Sequence, residues 1–104
     1  MAKQKKELPI EWDINERDRF KEIIKDTKKN RSENLAQLIK SRVKENLNHI
    51  KQKPEMFEAD ILKVGNDGSY RKFTAFLIKV VYKIEIDKII IARIRYSASE
   101  PTEY

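Results

Sequence analysis

Between Tyr70 and Tyr96 the chain sets Arg71, Lys72, Lys79, Lys83, Lys88, Arg93 and Arg95 against only Glu85 and Asp87, so this stretch holds five of the six net positive charges. Guanidinium and ammonium groups at that density suit a phosphate backbone, and nearby tyrosines offer faces on which bases stack. Arg93 and Arg95 are two apart, the spacing that points both the same way from one strand. The same groups can act on RNA. Cleavage by a neighbouring 2′-hydroxyl needs a base for its proton, cations for the crowded phosphorane and an acid for the leaving oxygen. Arginine and lysine supply the cations; a tyrosine or a lysine exchanges protons. The plain alternative is a solvated strand charged for solubility and edge protection, and charge alone does not separate the two.

Other chemistry is thin. His49 is the sole histidine, set between Leu47 and Ile50 with no carboxylate or second histidine at metal-ligand spacing, so it reads as a surface or flank residue, and no metal or other cofactor is expected. The chain has no cysteine, which excludes disulfides, thiol nucleophiles and thiolate metal sites. Gly65-Asn66-Asp67-Gly68 lacks the lysine and hydroxyl of a phosphate loop and is turn chemistry. Trp12 reads as a packing residue.

Two helices and a run of strands must position these groups. Leu8, Ile10 and Trp12 alternate weakly, with Pro9 restricting any strand there to a short one at an edge. Asp13 followed by Glu16 has the form of a capping box opening a helix over Ile14 to Lys29, with Phe20, Ile23, Ile24 and Thr27 on one face. Ser32 is a plausible cap for a second helix whose Leu35, Leu38, Ile39, Val43, Leu47 and Ile50 recur at helical spacing until Pro54 forbids continuation. The period then changes to two. Phe57, Ala59 and Ile61 alternate with charge, Asn66-Asp67-Gly68 signals a hairpin, and a strand follows from Tyr70 to Phe76. Ile78, Val80, Tyr82, Ile84 and Ile86 share a face. After a two-residue turn at Asp87-Lys88, Ile90, Ala92, Ile94 and Tyr96 oppose Ile89, Ile91, Arg93 and Arg95.

The expected order is β-α-α-β-β-β-β: an α+β domain with two antiparallel helices packed on one face of an antiparallel sheet whose other face is open. At 104 residues one domain fits, with 1–7 as a flexible basic tail. The composition, 38% charged, approaches that of disordered chains, but the 39% hydrophobic residues fall in periodic runs, as a folded domain requires. The basic start has no apolar stretch behind it and no run is long enough to span a bilayer, so a cytoplasmic protein without membrane attachment is expected.

Four signatures in this order resemble the RelE/ParE superfamily of toxins from bacterial type II toxin–antitoxin systems. They are Ile10-Glu11-Trp12-Asp13 before the helix pair, Lys53-Pro54-Glu55 after it, Gly68-Ser69-Tyr70-Arg71-Lys72-Phe73, and Val81-Tyr82-Lys83-Ile84 with the run from Ile89 to Tyr96. The ending from Ser97 to Tyr104 is similar to the family's tail. The resemblance implies a growth-inhibiting toxin held in a hetero-oligomer by a cognate acidic antitoxin. It implies one of two targets: the ribosome and its mRNA, cut by an endoribonuclease (mRNA interferase), or DNA gyrase, poisoned without cleavage. It places an important arginine at Arg71, a second basic group at Arg93 or Arg95, and an aromatic acid or base at Tyr104. Where many RNase members carry a histidine or arginine after the last strand, this chain has Tyr96, Ser97 and Ala98. The expected catalytic set is Arg71, Arg93, Arg95, Tyr96 and Tyr104, with Lys72, Lys79 and Lys83 on the RNA backbone; a non-toxic RNA-binding domain is the remaining alternative.

Overall fold

The computed structural model describes residues 7–99 and 103–104. Strand β1 (Ile10–Trp12) leads into helices α1 (Ile14–Asn30) and α2 (Glu33–Gln52), a 3-10 turn at Pro54–Met56, then strands β2 (Tyr70–Ala75), β3 (Ile78–Ile84) and β4 (Ile89–Tyr96), and a last 3-10 turn at Ser97–Ser99. The Asp13 carboxylate accepts from the amides of Asn15 and Glu16 and starts α1; the Ser32 hydroxyl accepts from Leu35 N and starts α2. Ile23 of α1 and Ile39, Val43 and Ile50 of α2 pack on Phe73, Ala75, Ile78, Val80, Tyr82, Ile89, Ile91 and Ile94 of the sheet. Leu38, expected on that face, is turned out and 45% exposed. Trp12 packs on Phe20, ring centroids 5.6 Å apart. No helix among the described residues is long and apolar enough to cross a membrane. The basic segment expected to be a tail lies outside the described residues except for Glu7, whose carboxylate accepts from Gln52.

The fold is α+β, and several expectations about the sheet change. First, the sheet is mixed. Its order is β1-β4-β3-β2, and β1 runs parallel to β4, pairing Ile10 with Ile89 and Trp12 with Ile91. The helix pair carries the chain back over the sheet before β2 begins, so the edge strand joins β4 by a crossover, which permits parallel pairing. Second, the expected order of elements holds, but the segment 57–61 contributes a single antiparallel bridge, Ala59 to Arg71, instead of a full strand. Asn66 replaces the ladder there. Its amide donates to the carbonyls of Asp60 and Tyr70, and its oxygen accepts from Gly68 N and Tyr70 N, which knots 60–70 into a loop with Gly68 at φ 97°.

Third, β4 changes face midway. Val81 pairs with Arg93 and Tyr82 with Ile91, leaving Ala92 as the extra residue of a bulge. Ile89 and Ile91 therefore join Ile94 and Tyr96 on the helix side, where strict alternation had opposed them. The β3–β4 turn is also one residue earlier than expected: Glu85 pairs with Lys88, so Ile86 sits in the turn, 99% exposed, and not on the core face.

Candidate nucleic-acid interface

The register lays out the sheet face away from the helices as three rows. Thr74, Lys79 and Arg95 form one, Lys72, Val81 and Arg93 the next, and Tyr70, Lys83 and Ile90 the third. This face is not open. The loop from Asp60 onward and Tyr104 cover its centre, where Val81 is fully buried and Lys79 only 6% exposed. Tyr104 is tied into the cover by its backbone, donating to the Leu62 carbonyl at 2.9 Å and accepting from Val64 N at 2.7 Å.

Tyr104 is the centre of the arrangement. The Arg93 guanidinium lies 4.4 Å from its ring centroid, with the ammonium groups of Lys63 at 5.3 Å and Lys79 at 5.9 Å. Its hydroxyl donates to Asp60 Oδ2, while Asp60 Oδ1 accepts from Leu62 N and pairs with Lys79 Nζ at 3.2 Å. Asp60 is fully buried. Burial pushes its carboxyl up, but the bonds from Tyr104, Leu62 and Lys79 outweigh that and hold its pKa below the ordinary aspartate value. A second ring joins the face: Tyr70 has Lys63 at 5.0 Å and Lys83 at 5.6 Å, so Lys63 serves both tyrosines. Lys72 pairs with Glu58 at 2.7 Å and Lys83 with Glu85 at 3.4 Å. The bond to Lys72 draws the Glu58 pKa down.

The residues expected to work together divide among three places. Arg93, Tyr104, Lys72, Lys79 and Lys83 share the outer face. Arg71 does not: it pairs with Tyr82 across β2 and β3 and so points to the helix side, donating to the carbonyls of Gly68 (3.1 Å) and Phe57 (2.8 Å) and holding the corner after α2. Tyr82 braces the same corner through Pro54 O, and burial pushes its hydroxyl up to about 12. Arg95 and Tyr96 line a cleft of about 290 Å³ between α1 and the end of β4, with Arg19, Glu22, Asp26 and Ser99. There Arg95 is bound to Glu16 at 2.6 Å and the Tyr96 hydroxyl donates to Asp26 at 2.8 Å. Burial, then the bond to Asp26, raises the Tyr96 pKa. A single active face centred on Arg71, Arg93 and Arg95 is therefore not what forms, because strand alternation separates Arg71 and Glu16 draws Arg95 to the sheet edge.

Asp60, Lys63 and Tyr70 were missed as members of this face. The alternation over 57–61 already placed Asp60 opposite the apolar residues, but nothing local marked it among so many acids. Among the described residues no cluster of histidine, cysteine or carboxylate side chains is fit to hold a metal. On the far side of the molecule, Ile10, Trp12, Phe20, Val43 and Leu47 line an apolar groove of about 510 Å³ rimmed by Lys40, Lys44 and Lys51. Comparison with the known protein families finds none that matches the chain, and comparison with curated proteins finds no significant relative.

Proposed function

We propose that this chain is an RNA-directed toxin of the RelE/ParE kind, which stops translation by cutting mRNA on the ribosome. The observation that carries this reading is the convergence of Arg93, Lys79 and Lys63 around the Tyr104 ring, on a face that also bears Tyr70, Lys72 and Lys83. Attack by a 2′-hydroxyl on the adjacent phosphate forms the O2′–P bond and breaks the P–O5′ bond, with negative charge building on the phosphoryl oxygens. In this reading Arg93 meets that charge, Lys72 and Lys83 hold flanking phosphates, and Tyr104, once its hydroxyl leaves Asp60, gives its proton to the departing O5′ while water takes the proton of the 2′-hydroxyl. The lysine-rimmed groove beneath β1 suits the apolar face of an acidic partner segment, the chemistry expected of an antitoxin. Toeprinting of a message translated in the presence of the protein tests the reading. New cleavage sites are expected, weakened about 100-fold or more by Arg93→Ala; intact message alongside arrested growth refutes it.

A second reading, a non-cleaving inhibitor of DNA gyrase, is favoured by one observation: Arg71, Arg95 and Tyr96 are all engaged in bonds that hold the fold. It predicts accumulation of gyrase–DNA cleavage complexes in a supercoiling assay, and unchanged supercoiling counts against it.

A further inference from the structure

The seat of Tyr104 has the form of a ligand site already filled by a ring of the chain itself. A six-membered ring lies against a guanidinium at 4.4 Å, and the substituent opposite its point of attachment donates a hydrogen bond to one oxygen of a fully buried carboxylate. That oxygen, Asp60 Oδ2, is directed at the ring, while Oδ1 is engaged by Leu62 N and Lys79. Burying an aspartate at the floor of a cationic face is costly unless donors meet both oxygens, so whatever occupies the seat must bring a donor to Oδ2.

We propose that this seat binds an unstacked nucleobase that carries an amino group, with cytosine the best fit among the pyrimidines, and that Tyr104 stands in its place. In cytosine the amino group at C4 lies across the ring from the glycosidic N1, as the tyrosine hydroxyl lies across from its Cβ. The ring would take the Arg93 guanidinium as its stacking partner, a contact common in single-stranded RNA recognition, and N4–H would donate to Asp60 Oδ2. Uracil offers a carbonyl oxygen at that position, which a carboxylate repels. The inference rests on the RNA reading for its ligand class and adds the base preference and the residue that sets it. It also supplies what releases the Tyr104 hydroxyl: a base in the seat leaves that group free beside the backbone it would act on.

The test is titration of the full chain and its variants with CMP and UMP, free of ribosomes, followed by amide NMR shifts. Tyr104→Ala should bind CMP about tenfold or more tightly than the parent chain does, because the resident ring no longer competes. The same variant should favour CMP over UMP by about five- to tenfold, the lower end of what one base-edge bond discriminates. Adding Asp60→Asn should abolish or reverse that preference, since the amide oxygen would stay with Leu62 N and Lys79 and the NH₂ would face the base; Arg93→Ala should weaken both nucleotides alike. The proposal is overturned if Tyr104→Ala gains no affinity, if it prefers neither nucleotide, or if the preference survives Asp60→Asn in a protein whose amide spectrum stays folded. Should Asp60→Asn unfold the chain, the CMP-to-UMP ratio of Tyr104→Ala decides alone. Base preference without mRNA cleavage would sink the cleavage reading only, and cleavage without base preference would sink this inference only.

Discussion

Replacing Glu16 should cost far more than a first-turn helix glutamate usually does. The residue is 8% exposed and its carboxylate accepts from the Ile94 amide at 2.8 Å and from Arg95 at 2.6 Å, so it caps the stretch of β4 that extends beyond its pairing with β1. Glu16→Ala leaves Ile94 N without this acceptor, a loss of about 1–3 kcal/mol, and removes a charge-assisted bond worth a similar amount. The two overlap, because Arg95 can turn to water, and about 3 kcal/mol is expected in total. For a domain of this size that lowers the melting temperature by about 10–20 °C. Urea unfolding followed by circular dichroism measures it. Glu16→Gln keeps an oxygen for Ile94 and should cost only about 1 kcal/mol. A double-mutant cycle with Arg95→Met should return a coupling of about 1 kcal/mol or more, which separates the ion pair from the helix-dipole benefit of an acid in the first turn. A Glu16→Ala variant within about 0.5 kcal/mol of the parent would refute the assignment of Arg95 and Glu16 to the framework.

Arg71→Ala should reduce stability by about 2 kcal/mol, since two close carbonyl contacts lose a charged donor, while any growth inhibition the proposed function predicts on induced expression should be unchanged per folded molecule. Lost growth inhibition in a chain of unchanged melting temperature would return Arg71 to the proposed site. Tyr82 should make the fold alkali-sensitive: its folded pKa of about 12 exceeds the ordinary value near 10, so the unfolded chain releases its proton first and stability falls as pH rises from about 10 to 12, by up to about 2–3 kcal/mol. Tyr82→Phe, measured beside the parent, should start less stable at neutral pH through loss of the bond to Pro54 O and become the more stable of the two by pH 12; a constant difference across that range would contradict the burial argument.

Much of this protein is legible in short stretches of its chain. Asp13 and Ser32 begin the helices and Pro54 ends the second, because capping and the missing amide of proline act within a turn. Period-two alternation identified β2 and β3 and the faces of β3 from Ile78 to Ile84, since side-chain direction in a strand depends only on position. The concentration of positive charge between Tyr70 and Tyr96 was visible too, though not which of its members share a face.

What escaped that reading depends on partners far away in the chain. Ala92 bulges, and so moves Ile89 and Ile91 to the core, a shift visible only in the pairing of β4 with β3. Glu16 looked like half of a capping box but reaches 78 residues ahead to Ile94, where an unpaired strand edge exerts a stronger demand than the helix start. Asp60, Lys79, Arg93 and Tyr104 meet only after the loop and the final residues fold over the sheet. The types and spacing of residues determined the elements, the helix caps and the concentration of positive charge. The tertiary structure alone decided which charges face one another, since a buried carboxylate or an open strand edge is satisfied by whatever group the fold brings within about 3 Å, regardless of its distance in sequence.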